Sequence, residues 1–384
     1  MDTGDCASRI PDCTCCSRRA FLRAAAVGAA ALAGHRCFCR AASRPAGIRI
    51  AEVRCGYEDF LYRTPIKFGG TVLDRVTLLN VHCVVRAPDG RTARGFGSMP
   101  LGNIWAFPSR LMSYQTTLGA MKALAERIAR ISGDCPESGH PVDLNVALEP
   151  AYLKAAQEVS QELKLASPIP KLATLVTASP FDAAVHDAFG KLHRLSCYQT
   201  YGPEHMPHDL SRYLRPEFQG EHLSRYVLQK PKPSLPLYHL VGALDPISET
   251  DVSRRISDGL PETLAEWIVY SGLTHLKIKL NGDDLKWDVE RVVSVDRTAS
   301  ETQRKRGVRE WFYSLDFNER CPNVGYLVDF LRLLKERTPA GFERIQYIEQ
   351  PTKRDLNADR ANLMHQASRI RPVVIDESLT DLES

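Results

Sequence analysis

The sequence has no strong excess of either charge. Its 50 Lys and Arg stand against 46 Asp and Glu, a formal charge of +4, and the basic residues are scattered. No clustered cationic face is offered to a phosphate backbone, which argues against a nucleic-acid partner. Cysteine supplies no disulfide framework: six of the 11 (Cys6, Cys13, Cys15, Cys16, Cys37 and Cys39) fall within the first 45 residues. The others, Cys55, Cys83, Cys135, Cys197 and Cys321, are odd in number and widely spread, as core or surface thiols are. Cys13-Thr14-Cys15-Cys16 has no histidine or second Cys pair at zinc-finger spacing. The apolar stretch Ala24–Gly34 is too short to span a bilayer, which takes roughly 20 residues. With 43% hydrophobic and 25% charged residues the chain has a globular balance, and its 384 residues suffice for two domains of roughly 100–200 each.

What is present begins with an address. Ser17-Arg18-Arg19-Ala20-Phe21-Leu22-Arg23 is a nearly complete twin-arginine export motif, and the apolar stretch follows it directly. Residues 1–45 therefore read as a signal peptide, cleaved near Ala41-Ala42 or Ala46. The expected partner is the twin-arginine export machinery, and the expected location is the periplasm or the cell exterior.

Residues 46–202 read as an α+β domain. An antiparallel meander covers Ile48 to about Ser98, with a turn at Pro88-Asp89-Gly90 and a return strand Thr92–Gly97. Tyr57–Gly70 reads as a glycine-terminated loop between the first two strands. Gly95-Phe96-Gly97 lacks the helix start of a phosphate loop and reads as a tightly packed strand. Leu118, Met121, Leu124, Ala125, Ile128 and Ile131 recur at helical spacing, as do Phe181, Ala184, Val185, Ala188, Phe189 and Leu192. His186 and His193 read as helical histidines rather than ligands. Residues 203–235, rich in His, Pro and Lys, read as a linker or insertion.

From 236 to 384 short apolar runs alternate with amphipathic stretches. Strands are expected at 236–241, 275–279, 311–316, 345–349 and 372–376, with helices near 262–270, 284–295, 323–336 and 355–368. Such alternation makes a parallel sheet. Lys279, Asp316, Glu349 and Asp376 each close a strand, on the face where these folds keep their active sites. Burying three carboxylates together is costly without a compensating cation, and an all-oxygen donor set suits Mg²⁺. Lys277 and Lys279 beside them make proton transfer plausible.

Lys277-Ile278-Lys279, Asp316-Phe317-Asn318, Ile348-Glu349-Gln350-Pro351 and Asp376-Glu377-Ser378 occur in the order found in the enolase superfamily. The chain resembles that superfamily from about Ile48 onward, and within it the muconate-lactonizing, dipeptide-epimerase and mandelate-racemase branches. The resemblance implies an α+β cap followed by a (β/α) barrel of the TIM type. It implies Asp316, Glu349 and Asp376 as Mg²⁺ ligands and Lys279 as the base that removes a proton next to a carboxylate. Lys277 would lower the pKa of that base or hold the carboxylate of a small-molecule substrate, while Asn318 and Glu377 would orient ligands. The loop carrying Tyr57, Arg63 and Lys67 would fold over the barrel mouth and help choose the substrate.

The activity implied is that of an isomerase or lyase: epimerase or racemase, cycloisomerase, or dehydratase. Lys-x-Lys leans towards the muconate-lactonizing and dipeptide-epimerase side. A homo-oligomer is compatible with all of these. One departure stands out: strands 1–5 of the barrel are legible, where a closed barrel needs eight. The expectation is a chain truncated within the barrel, with any second acid/base beyond Ser384. The alternative is an inactive fragment serving as a metal-binding or scaffold protein; three further strands in the downstream reading frame, one carrying Lys or His, would favour the enzyme.

Overall fold

Alternate residues from Thr77 to Val85 are buried, the mark of a strand with one face on a core. The computed structural model describes residues 47–381 except 69, 229, 359 and 361, so the twin-arginine motif lies outside the described residues. Strands β1 (Arg49–Phe68), β2 (Thr71–Arg86) and β3 (Thr92–Pro100) form an antiparallel sheet in the order β1-β2-β3.

The expected loop at Tyr57–Gly70 is instead a hairpin arm. β1 continues to Phe68 and pairs with β2 as far as Phe68↔Thr71. Tyr57, Phe60, Tyr62, Ile66 and Phe68 carry strand preference, and the pairing is irregular only between Leu61 and Ile66. Pro65, which has no N–H to donate, lies inside that break.

Four helices follow: α1 (Asn103–Ala106), α2 (Tyr114–Gly133), α3 (Pro141–Glu162) and α4 (Lys171–His193). The apolar stripes of α2 and α4 are buried against the sheet in one core with alternate residues of β2. Glycine sets the approach of β3 to α4. A Cβ on Gly95 would lie 1.9 Å from the Ala184 carbonyl oxygen, and one on Gly97 2.0 Å from that of Pro180. His186 is packed in this cap beside Asp182 and Tyr201. The five cysteines at 55, 83, 135, 197 and 321 are free thiols.

Between residues 197 and 228 the chain makes short 3-10 turns. The second sheet is parallel, in the order β4 (Tyr238–Val241), β5 (His275–Lys279), β6 (Phe312–Asp316), β7 (Ile345–Glu349) and β8 (Val373–Val374). Helices α5 (Leu264–Ser271), α6 (Leu285–Arg306), α7 (Val324–Arg337), α8 (Pro339–Glu343) and α9 (His365–Ser368) connect the strands. Their apolar faces make a second core with Val241, Leu276, Ile278, Tyr313, Leu315 and Ile348.

Three further elements differ from the sequence reading. Helix α6 runs well past 295 because Val289, Val292, Val295 and Ala299 keep one buried stripe under a polar exterior, and Gly307, at φ 71°, ends it. The helix expected over 355–368 shrinks to the single turn of α9, and the last strand to Val373–Val374.

Candidate active site

Pairing register places the site. Lys279 stands opposite Asp316, Asp316 opposite Glu349, and Glu349 opposite Val374, two residues before Asp376. Neighbouring strands lie roughly 4.8 Å apart, so these charges form a row across the C-terminal ends of β5, β6 and β7. The row is buried: Lys279 is 4%, Asp316 1% and Glu349 8% exposed.

Both lysines answer the carboxylates. The Lys277 ammonium lies 2.5 Å from Glu349 Oε1 and 3.0 Å from Asp316 Oδ2. The Lys279 ammonium donates to Asp316 Oδ2. Burial alone would lower Lys277, but Asp316 and Glu349 outweigh it and hold the group above its usual range, so it stays charged. Burial would raise Asp316, yet Lys279 and Lys277 hold it below the ordinary carboxylate range. Glu349 is pushed up by burial and then by Asp316, against the pull of Lys277. Asp376 is pushed up by burial, with Asp316 adding and Lys277 opposing.

Three carboxylates against two ammonium groups leave an excess of negative charge that favours a further cation. Among the described residues no group of His, Cys, Asp and Glu side chains is assembled to hold a metal ion, and the lysine ammonium groups lie against Asp316 and Glu349 instead. The donor chemistry, the buried carboxylates of Asp316 and Glu349 with the half-buried one of Asp376, nevertheless fits a hard divalent ion such as Mg²⁺.

The turns after the strands are tight. Asn318, Glu319 and Gln350 take φ values of 47°, 65° and 32°, in the left-handed region that costs a non-glycine residue about 1–3 kcal/mol. Asn318 supports Asp316 through its backbone, its N–H donating to Oδ1 at 2.8 Å. Gln350 ties β7 to the segment after β8. Its Oε1 accepts from the N–H groups of Asp376 (2.9 Å) and Ser378 (3.2 Å), and its Nε2 donates to Ser378 Oγ (2.8 Å) and the Thr352 carbonyl (3.1 Å). Glu377 contacts none of the three carboxylates by hydrogen bond; its Oε1 accepts from the Trp105 indole at 3.0 Å.

The cap reaches this mouth through the hairpin. Phe68 places its ring 5.1 Å from the Lys279 ammonium, a cation–π distance. Lys67 donates to Asn281 Oδ1 at 3.0 Å, and Arg63 grips Asp258 at 2.6 and 2.8 Å and the Pro261 carbonyl at 3.0 Å. Arg63 and Lys67 therefore pin the hairpin to the loops of the second sheet. Tyr57 does not reach the mouth: its hydroxyl donates to the Lys122 carbonyl at 3.0 Å and Glu126 at 3.1 Å within the cap. The cause is that the expected loop is a strand, and Tyr57 lies in its cap-packed part. Between hairpin and strand ends lies a cavity of 370 Å³ that holds Lys277, Lys279 and Asp376 on its floor.

Gln350, Phe68 and Trp105 were given no role by the sequence. Gln350 follows Glu349 directly, a signal that was available. Phe68 and Trp105 come from a strand and a one-turn helix far upstream, and nothing local marks them.

No protein-family model and no curated protein matches the chain. Solved structures do. A dipeptide epimerase from Cytophaga hutchinsonii, solved with Mg and the dipeptide D-Ala-L-Val, superposes with a TM-score of 0.50 at 15% identity, over 86% of this chain and 66% of that one. A muconate lactonizing enzyme from Pseudomonas fluorescens, solved with muconolactone, gives 0.49 at 16% identity over 87% of this chain and 67% of its own. An L-talarate/galactarate dehydratase from Salmonella typhimurium LT2 gives 0.49 at 16% identity over 91% and 68%. At such identity the likeness is one of fold, and the chain spans about two thirds of the length of these structures. The fold is one shared with that dipeptide epimerase, an α/β architecture with a parallel sheet.

Proposed function

We propose that this chain belongs to the mandelate racemase and muconate lactonizing branches of the enolase superfamily, and carries a Mg²⁺-dependent site that abstracts a proton next to a carboxylate. The observation that carries the reading is the buried row Lys279, Asp316, Glu349 in pairing register on three adjacent strands, with Lys277 bridging Asp316 and Glu349. Asp316, Glu349 and Asp376 would hold the ion, which when bound supplies positive charge against the substrate carboxylate.

Lys279 is the base. In the structure its ammonium is committed to Asp316, so it must leave that contact and lose a proton before it can accept one. The neutral amine then takes the proton from the carbon beside the carboxylate, and the electron pair moves into the carboxylate. Lys277, held charged by its two carboxylates, offsets the negative charge that develops. Return of a proton gives an isomer; expulsion of a β-substituent gives an alkene. Epimerisation, cycloisomerisation and dehydration all begin with this step.

Export by the twin-arginine route, to the periplasm or beyond the cell, belongs to the same proposal and is supported by Ser17-Arg18-Arg19-Ala20-Phe21-Leu22-Arg23. The test of the chemistry is exchange. In D₂O with Mg²⁺, a carboxylate substrate should exchange its α-proton. Lys279→Ala should reduce exchange by about 10²–10⁴-fold without rescue by more substrate, and Lys277→Ala should leave part of it. Unchanged exchange in Lys279→Ala would end the reading.

A further inference from the structure

The mouth of the second sheet is divided into two cavities of opposite character. One, of 370 Å³, has the lysines and Asp376 on its floor. The other, of 520 Å³, is ringed by charge: Glu319, Arg320, Lys353, Arg354, Asp355 and Glu377. Phe68, Ile104 and Trp105 line both and form the partition.

Cap residues wall the first cavity. Tyr62, Phe68, Leu73, Met99, Trp105 and Tyr114 line it, and all six keep part of their surface exposed. Two polar cap groups on the same wall are already engaged. The Arg75 guanidinium is paired with Asp74 at 2.8 Å. The Asn103 carboxamide donates to the Tyr114 carbonyl at 3.0 Å and to Thr117 Oγ1 at 2.9 Å. A molecule in this cavity thus meets ammonium and carboxylate groups at one end and aromatic and aliphatic surface along the rest.

We infer that the ligand is a small carboxylic acid with a large apolar, preferably aromatic, substituent, its carboxylate at the lysine end and its substituent against the wall of hairpin and Trp105. This rests on the proton-abstraction reading for the placement of the carboxylate, and goes beyond it by naming the other half of the molecule. Two physical terms support it. Apolar surface removed from water contributes about 25 cal/mol per Å², so an aromatic ring seated here gains more affinity than a methyl group. A charged substituent would leave its hydration shell for a wall whose one charged cap group, Arg75, is already paired, which opposes binding. The volume lies in the range of roughly 300–1,000 Å³ usual for small-molecule sites, enough for one ring and its acid.

Calorimetric titration of the full chain with Mg²⁺ present tests this with propionate and 3-phenylpropionate as probes. The aromatic acid should bind at least about 10-fold more tightly than propionate. Leu73→Glu, which puts a carboxylate in the apolar wall, should erase that advantage while propionate binding persists. Two acids bound equally by the wild-type chain would overturn the inference and leave proton abstraction standing. Failure of both acids to bind would overturn the inference and the reading beneath it together. Because the wild-type comparison decides by itself, misfolding of the variant cannot shield the inference.

Discussion

Trp105 Nε1 donates a hydrogen bond of 3.0 Å to Glu377 Oε1, joining the one-turn helix α1 of the cap to the residue that follows Asp376. The Trp105 carbonyl accepts in turn from Arg354 Nη2 at 2.9 Å, and Arg354 is held by Glu319 at 2.6 and 2.8 Å. One cap residue is thereby latched to the loops after β6, β7 and β8. Glu377 is buried, and among the described residues its Oε2 has no hydrogen-bond partner. Burial, then Glu319 and Asp376, push its carboxyl up to about 7.

Trp105→Phe keeps the aromatic partition but removes the donor, leaving a buried carboxyl with neither oxygen bonded. Such loss costs about 1–3 kcal/mol. Urea denaturation should show the midpoint falling accordingly with the m-value unchanged. A change below about 0.3 kcal/mol would mean that the indole bond contributes packing only.

Gly95→Ala tests the seam between β3 and α4. The added methyl would meet the Ala184 carbonyl oxygen at 1.9 Å, and backbone cannot swing aside as a side-chain end can. Strand and helix must part, at a cost of about 3 kcal/mol or more. A variant as stable as the wild type in thermal unfolding would show that the approach is looser than described. Gly56→Ala, where nothing lies within 4 Å, is the control and should be near neutral.

Much of the site was legible because each charged residue closes a run of apolar neighbours. Lys279, Asp316 and Glu349 could be placed at strand ends from those runs, and the parallel register then brings them side by side. What the cap contributes was not legible. Phe68 and Trp105 reach the mouth through tertiary packing, and a local pattern holds no trace of that. Tyr57–Gly70 misled because its Thr64-Pro65 and terminal glycines suggest a loop, whereas cross-strand pairing with β2 carries the chain past a single irregularity. The latter half of α6 was hidden because its buried face is largely polar, Asp296, Thr302 and Gln303 lying there beside Ala299.

The export proposal has a direct test. Arg18-Arg19 changed to Lys-Lys should leave the precursor in the cytoplasm, read by fractionation and immunoblotting, because the paired guanidinium groups are the element that route requires. Unchanged secretion would remove the assignment and leave the proposed chemistry untouched.

His140 should give the fold a measurable acid sensitivity. It is fully buried at the start of α3, edge-on to Phe189 with ring centroids 4.9 Å apart. Its Nδ1 accepts from the Val142 N–H at 3.2 Å, which requires that nitrogen to be unprotonated. Burial first, then His186, push its pKa from 6.5 down to about 4, while Asp143 opposes. Above pH 6.5 the residue is neutral folded and unfolded, and its contribution to stability is level. As pH falls from 6.5 towards 4 the unfolded chain takes up a proton that the native state refuses, so stability declines, by up to about 3 kcal/mol. His186 works in the opposite sense. Burial would lower its pKa, but the hydrogen bond that the protonated ring donates to Asp182, with that carboxylate's charge, outweighs it and raises the pKa, so its contribution is lost as pH rises. His140→Asn retains a side-chain acceptor at the helix start and cannot titrate. Urea midpoints taken between pH 7.5 and 4.5 should therefore fall less steeply for His140→Asn than for the wild type, and parallel slopes would show that His140 is not the group refusing the proton.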